Sequence, residues 1–264
     1  MPMREWNAGV YHRVSNAHVD WGTRVLARLP LDGDELVLDI GCGTGRLTEK
    51  LLEHLPDGRA IGVDLSSNML TVAREYLVPR FGSKIQFVFA DAGALPFLER
   101  ADAVFSTATF HWVLDHPLLF RSIRDALRPG GRLVAQCGGG PNMQHTKQRC
   151  RAIMMSPAFT HYFGGWREPW EYADAPTTAE RLTAAGFTDI RTSVEPAPLV
   201  HPDAATYKEF VTTVICRPYL AQLPEQALRD RFIDELTEQA SRTSPPFELD
   251  YWRLNIDATK PRSA

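Results

Sequence analysis

No stretch of the 264 residues reaches the roughly 18 consecutive apolar positions that a membrane-spanning helix needs. The nearest, Ala103 to Leu114, is broken by Ser106, Thr107, Thr109 and His111. Met1 to Val19 carries Arg4, Glu5 and Arg13 and lacks the apolar core of a secretory leader, so secretion is not expected. Cysteine is scarce. Cys42, Cys137, Cys150 and Cys216 stand far apart with no C-x-x-C pair, which excludes a zinc knuckle or redox motif, gives no metal site and fits a cytoplasmic protein. Neither sign of charge dominates: 29 Lys and Arg against 32 Asp and Glu leave a net charge of -3. The chain therefore has no bulk attraction for nucleic acid or anionic lipid, and a small-molecule partner is the expectation, with no nucleic acid and no membrane.

What is present is a rhythm. From Glu35 onward short apolar runs alternate with amphipathic helical patterns, the mark of a parallel sheet covered on both faces by helices. Leu36–Ile40, Ala60–Val63, Ile85–Phe89, Ala103–Phe105 and Arg132–Cys137 predict five strands. A helix with Leu47, Leu51, Leu52 and Leu55 follows the first, and one capped by Ser66 or Ser67 and stopped by Pro79 follows the second. Pro117 opens a helix to Leu127, and Arg128-Pro129-Gly130-Gly131 turns the chain into the fifth strand. Thr188–Val194 and Phe247–Ile256 predict two more strands, with helices at 178–185, 204–215 and 225–240 between and before them. Four segments result: an N-terminal helical cap at 1–32, a cofactor-binding core at 33–137, an aromatic-rich insertion or lid at 138–176, and the C-terminal half of the sheet with a helical insertion at 177–264.

The first strand runs into Gly41-Cys42-Gly43-Thr44-Gly45, a loop that lets a ligand approach the backbone and meet the positive end of a helix. Spacing decides which ligand. A phosphate-binding P-loop needs Lys and then Ser or Thr after its last glycine, and here Arg46 and Leu47 follow. The dinucleotide fingerprint needs a third glycine where Arg46 stands. Asp39 beside the loop is a poor neighbour for a pyrophosphate and a good one for an ammonium, which favours S-adenosylmethionine. Asp64 ends the second strand, where a carboxylate can accept two ribose hydroxyls, and Asp91 follows the third strand within reach of an adenine amino group.

In these features, Leu38 to Gly45, Asp64, Asp91 and the Arg128 to Gly131 turn, the sequence resembles the class I S-adenosylmethionine-dependent methyltransferases, strongly over about residues 35 to 137. Phe110-His111-Trp112-Val113, together with Trp6, Tyr11 and Trp21-Gly22, is similar to the trans-aconitate methyltransferase group, and juvenile hormone acid methyltransferase is similar in the same places. The resemblance implies a Rossmann-like, doubly wound α/β fold with a seven-stranded sheet, mostly parallel with the last strand antiparallel, carrying helical N-terminal and inserted cap elements. It implies that Gly41 and Gly43 lie against the methionine part of the cofactor, Asp64 holds the ribose, Asp91 or Ala92 contacts adenine, and the backbone near Thr107 meets the amino-acid end. Tyr11, Asp39 and Leu65 complete the cofactor set.

For the acceptor, the resemblance points to Trp112 and to His18, which stands where acid-methylating relatives carry a Gln. A carboxylate needs no general base, whereas a phenol, amine or carbon acid needs one, and His111, His18 and His12 are the histidines near the site. His18, His111 and Trp112 are the candidate catalytic residues, each with packing as its alternative. Phe159, Tyr162, Phe163, Trp166, Trp170 and Tyr172 serve either as core of a cap or as lining of an acceptor pocket, and a mixture of the two is expected. The expected activity is methyl transfer to a carboxylate or hydroxyl oxygen of a small molecule. A methyltransferase acting on a macromolecule and a non-methylating binder of the same cofactor are the alternatives.

Overall fold

A computed structural model describes the backbone of residues 16–262 and the side chains from Val19 onward. β1 (Leu36–Ile40) is buried at every position, as befits an unbroken apolar run in a parallel sheet covered on both faces. Around it, β2 (Arg59–Asp64), β3 (Ile85–Phe89), β4 (Ala101–Thr107), β5 (Leu127–Gly138), β6 (Thr188–Pro196) and β9 (Trp252–Thr259) complete a seven-stranded sheet in the order 3-2-1-4-5-9-6. β7 (Leu199–Val200) and β8 (Glu248–Leu249) form a separate antiparallel pair. The pairings β1–β2, β1–β4, β2–β3 and β4–β5 are parallel, and β9 runs antiparallel to β5. The fold is the doubly wound one expected from the sequence, reversed last strand included. Its strand order turns back between β1 and β4, so the carboxyl ends of those strands open a crevice, the usual ligand position in such sheets.

Among the described residues the α-helices are α1 (Asn16–Leu26), α2 (Arg46–Glu53), α3 (Ser67–Phe81), α4 (His116–Ala126), α5 (Gln144–Met154), α6 (Ala175–Ala184), α7 (Ala204–Phe210), α8 (Arg217–Leu220) and α9 (Gln226–Ser241). Alternation along the strands sends side chains to two cores. Val37, Ala103, Phe105 and Val134 pack with Val25, Leu26, Leu51, Leu52 and Leu77 from α1 to α3. Leu38, Ile40, Val104 and Leu133 pack with Leu119, Phe120, Ile123 and Leu182 from α4 and α6. Each fully buried Leu or Phe contributes about 2 kcal/mol, and truncating Leu51 to Ala costs about 3 kcal/mol once the cavity is included. Ser66, Asp115 and Asp174 cap α3, α4 and α6 by accepting the N–H groups of Met69, Leu118 and Thr177.

Three local expectations need correction. Pro79 lies inside α3, which continues to Phe81; so near the helix end its missing N–H costs a single bond, and Gly82 at φ 55° ends the run. Arg128 to Gly131 does not precede β5 but bulges within it, Leu127 pairing with Ala101 and Arg132 with Ala103. Gly130 at φ 83° and its N–H bond to Lys260 O at 2.9 Å carry the strand through the bulge. The segment 247–256 is not one strand: Glu248–Leu249 pairs with β7, and only from Trp252 does the chain join the large sheet, remaining there to Thr259.

Pro141–Pro169 and Pro196–Trp252 form one compact unit, and the remaining described residues form the other, which holds the large sheet. The aromatic-rich segment is divided between them. Phe159 and Phe163 pack on Phe232, and Trp166 lies 4.9 Å from Tyr219, as core of the helical unit. Trp170 and Tyr172 belong to the sheet unit. Among the described residues no helix is long and apolar enough to cross a membrane.

Candidate active site at the carboxyl edge of the sheet

The glycine loop leaves β1 with Gly41, Gly43 and Gly45 all at positive φ, 74°, 55° and 85°. Two of the three are glycine for lack of room: a Cβ on Gly41 would collide with Thr109, and one on Gly45 with Leu77. Gly43 differs. Nothing lies within 4 Å of where its Cβ would be, so this turn of backbone borders open space at the mouth of the crevice. Gly41 and Cys42 donate to Val63 O at 2.7 and 3.1 Å, pinning the loop to the end of β2. Cys42 is buried, and desolvation, aided by the charges of Asp64 and Asp39, pushes its thiol well up, so it fills space as an un-ionised group.

Two carboxylates frame the loop. Asp39 is 2% exposed and accepts the Thr48 hydroxyl at 2.6 Å. Burial pushes its pKa up to about 7; the Thr48 bond opposes the rise and the nearby charge of Asp64 adds to it. Asp64 accepts the N–H of Gly43 at 2.9 Å with one oxygen and that of Ser66 at 2.8 Å with the other, so it spans the loop and the start of α3, with half-buried Leu65 beside it. Asp91 is exposed and accepts Gly93 N–H at 2.9 Å, capping the short turn of buried Ala92. Of the residues expected around the cofactor, Asp39, Gly41, Gly43, Asp64, Leu65, Asp91 and Ala92 thus lie along the ends of β1, β2 and β3.

At the end of β4, Thr107 passes into Ala108, a non-glycine residue at φ 54° whose N–H donates to Gln136 O at 2.8 Å. The left-handed step redirects the chain into a short turn, Phe110–Trp112, a strained conformation of the kind that gathers at functional sites. The turn presents two of the candidate catalytic residues. His111 lies 5.4 Å from Trp112, Trp112 meets Trp170 edge-on at 5.7 Å, Trp170 stacks on Tyr172 at 6.1 Å, and Tyr172 returns to His111 at 5.6 Å. These four rings close into a wall. Gly138 N–H donates to His111 Nδ1 at 3.3 Å, so the neutral imidazole carries its proton on Nε2.

A polar circuit, absent from the sequence-based expectations, holds this wall. His116, 1% exposed, donates from Nε2 to Phe110 O at 3.1 Å and accepts from Arg181 at Nδ1 at 3.0 Å. Arg181 also donates to Glu171 at 3.0 Å, and Glu171 N–H donates to His111 O at 2.8 Å. Burial, with Arg181 adding to it, holds the His116 pKa below the usual imidazole value. The helical pattern of α4 and α6 contains both residues, yet no local spacing signals that position 116 meets position 181.

His18 lies on α1, but its side chain, and the whole of Trp6, Tyr11 and His12, fall outside the described residues. Among the described residues no group of three or more His, Cys, Asp or Glu could hold a metal ion.

Comparison with known proteins bears on the family and the fold. A methyltransferase domain model matches residues 37–131. The chain is 31% identical to trans-aconitate 2-methyltransferase of Methylobacterium radiotolerans, covering 92% of each chain. It is 30% identical to the enzyme of that name from Rhizobium etli, over 97% of this chain and 99% of that one. Among solved structures, Haemonchus contortus phosphoethanolamine N-methyltransferase 2 in complex with S-adenosyl-L-methionine matches with a TM-score of 0.61 at 22% identity, over 97% of this chain and 57% of that one. With a glycine loop, flanking carboxylates and strand order of this kind, and relatives this similar along nearly the whole length, the chain belongs to the class I S-adenosylmethionine-dependent methyltransferases, in the group of the trans-aconitate methyltransferases.

Proposed function

We propose that this methyltransferase esterifies a carboxylate of a small organic acid. The observation that carries the reading is the bond from Gly138 N–H to His111 Nδ1, which leaves the proton on Nε2. A histidine held in that tautomer offers a hydrogen-bond donor to an anion and is poorly set to remove a proton from a phenol or amine. A carboxylate oxygen is already nucleophilic and needs no base. The names of the relatives, trans-aconitate 2-methyltransferases, support the same class of acceptor.

The residues around the glycine loop fit the cofactor: open space at Gly43, a buried carboxylate at Asp39 poised to ionise, and a second carboxylate at Asp64. On this reading Asp39 attracts the ammonium of the methionine moiety, with the Gly41 and Gly43 backbone against its carboxylate end and backbone atoms near Thr107 beside it. Asp64 accepts the ribose hydroxyls, and Leu65, Asp91 and Ala92 border the adenine. S-adenosylmethionine supplies a sulfonium methyl group: an oxygen–carbon bond forms as the carbon–sulfur bond breaks, and the electron pair stays on sulfur. What the protein contributes is alignment and removal of water. Trp112, with Trp170 and Tyr172, forms an apolar wall for the acceptor, and His111 steadies the reacting anion. Small acids, rather than a macromolecule, suit a wall made of four rings.

The reading is tested by incubating the protein with methyl-labelled cofactor and a panel of carboxylic acids, phenols and amines. Label that is released as methanol by mild alkali supports ester formation. Alkali-stable label in ethers, amines, RNA or protein, with none in esters, overturns it.

A further inference from the structure

We infer that Arg181 is a positioning residue for methyl transfer, tying together the two chain segments that build the aromatic wall and so setting kcat; this rests on the reading above that the four rings face the acceptor. The segments are distant in sequence. His111 and Trp112 come from the turn after β4, and Trp170 and Tyr172 from the chain before α6. A pair of rings is worth about 1 kcal/mol beyond its buried area and tolerates several geometries, so ring contacts alone set the shape of the wall loosely. Hydrogen bonds have the direction that ring contacts lack.

Arg181 supplies that direction through both arms of its guanidinium. One nitrogen donates to His116 Nδ1 at 3.0 Å and another to Glu171 Oε1 at 3.0 Å. Each partner holds a carbonyl of the turn: His116 Nε2 donates to Phe110 O at 3.1 Å, and Glu171 N–H donates to His111 O at 2.8 Å. Phe110 and His111 are consecutive, so the ring of bonds closes on the backbone that presents His111 and Trp112. Glu171 also stands between Trp170 and Tyr172 in the chain, which brings the same fork to the other half of the wall. The orientation of His116 is determined: a carbonyl can only accept and a guanidinium can only donate, so the imidazole is neutral with its proton on Nε2. The base of the fork is firm, because Arg181 precedes the fully buried Leu182 on a helix capped by Asp174.

A planar fork that bridges two anchors is not replaced by a point charge. Without it His116 and Glu171 move independently, and the turn moves with them. The acceptor still meets all four rings but spends less time in line with the methyl group. Such a loss falls on kcat rather than on binding, and a displacement of about 1 Å can cost about 100-fold. None of the four bonds involves the glycine loop, so cofactor affinity should hold.

The test measures methylation of trans-aconitate by the wild type, Arg181→Ala, Arg181→Lys and Glu171→Ala, with S-adenosylhomocysteine binding followed by calorimetry as the check on folding. Fluorine spectra of the fluorotryptophan-labelled proteins report on the wall, the signals of Trp112 and Trp170 being assigned with Trp112→Phe and Trp170→Phe. Arg181→Ala should lose about 10- to 100-fold in kcat, with acceptor KM within about threefold and S-adenosylhomocysteine affinity within about twofold of wild type. The Trp112 and Trp170 signals should shift or broaden. Glu171→Ala removes one arm from a half-buried side chain and should show the same pattern more weakly. Arg181→Lys should recover only part of the rate. The Arg181 side chain is 25% exposed, so ethylguanidinium should reach the gap in Arg181→Ala and restore part of kcat where ethylammonium does not, a rescue that a general loss of stability would not show. Undiminished kcat in a folded Arg181→Ala with both signals unmoved overturns the inference alone. Undiminished kcat with both signals moved overturns it together with the wall as acceptor surface. Label entering phenols or amines but no acid removes the carboxylate reading, and the same comparison of kcat is then made on the labelled compound.

Discussion

Arg181 donates to Nδ1 of the buried His116 at 3.0 Å, and this bond is possible only while His116 is neutral. Burial, together with Arg181, outweighs the bond to the Phe110 carbonyl and the carboxylates of Glu171 and Asp115 and lowers the His116 pKa from 6.5. The sign follows: a proton taken up by the unfolded chain is refused by the folded one. Its contribution to stability is complete above about pH 6.5 and is lost as pH falls through the lowered folded value. Because Asp39 contributes with the opposite sign over the same range, the loss is read as the difference between the thermal melts of wild type and His116→Gln from pH 8 to 5, the variant costing about 1 kcal/mol at neutral pH. Superimposable pH curves for the two proteins would remove His116 as the titrating group.

Asp39 has the opposite sign. Its pKa is raised from 3.8 to about 7, so its contribution to the ligand-free fold is complete below 3.8 and is lost as pH rises through 7. An ammonium placed beside it favours the ionised form. S-adenosylmethionine should therefore bind more tightly as pH rises from 6 to 8 and should release a proton on binding below pH 7, visible as buffer-dependent heats in calorimetry. Asp39→Asn should abolish the release and weaken binding by about tenfold or more. A release that persists in the variant would place the titrating group elsewhere.

Gly41 and Gly43 should respond differently to the same methyl group. Gly41→Ala meets Thr109 and should lower the melting temperature markedly, with or without cofactor. Gly43→Ala meets open space, so its only intrinsic penalty is about 1–2 kcal/mol for the left-handed backbone. Its larger effect should fall on cofactor affinity, read as a lost thermal shift on adding S-adenosylhomocysteine. A Gly43→Ala protein that still shows the full shift would mean the cofactor does not approach that turn.

Trp170→Ala should act on the acceptor alone. An edge-to-face pair is worth about 1 kcal/mol beyond its buried area, so loosening Trp112 should raise acceptor KM by about fivefold or more while cofactor affinity holds. A parallel loss of cofactor binding would make Trp170 a general core residue.

The first half of the chain was legible because its signals are local. Short, mainly apolar runs marked β1 to β5, and the glycine loop with Asp39, Asp64 and Asp91 pointed to the cofactor. The features that escaped depend on partners far apart. His116 meets Arg181, Gln136 meets Asn255, and Arg253 stacks on Trp21, pairings that no spacing encodes. The two-strand pair at Leu199 and Glu248 escaped for another reason: strands of two residues carry no periodicity to read. Phe159 and Trp170 lie in one aromatic run yet enter different units, and composition is silent about where such a run is shared out.

β9 follows its six sheet-mates in sequence and lies between two of them, joining β5 to β6. Until it is inserted, β5 has one unpaired edge and β6 has none to rest on. The half of the chain that carries the glycine loop is complete in sequence long before the strand that joins β5 to β6 arrives. A chain cut before Trp252 should therefore keep β1 to β5 paired and leave β6 with no neighbour in the sheet.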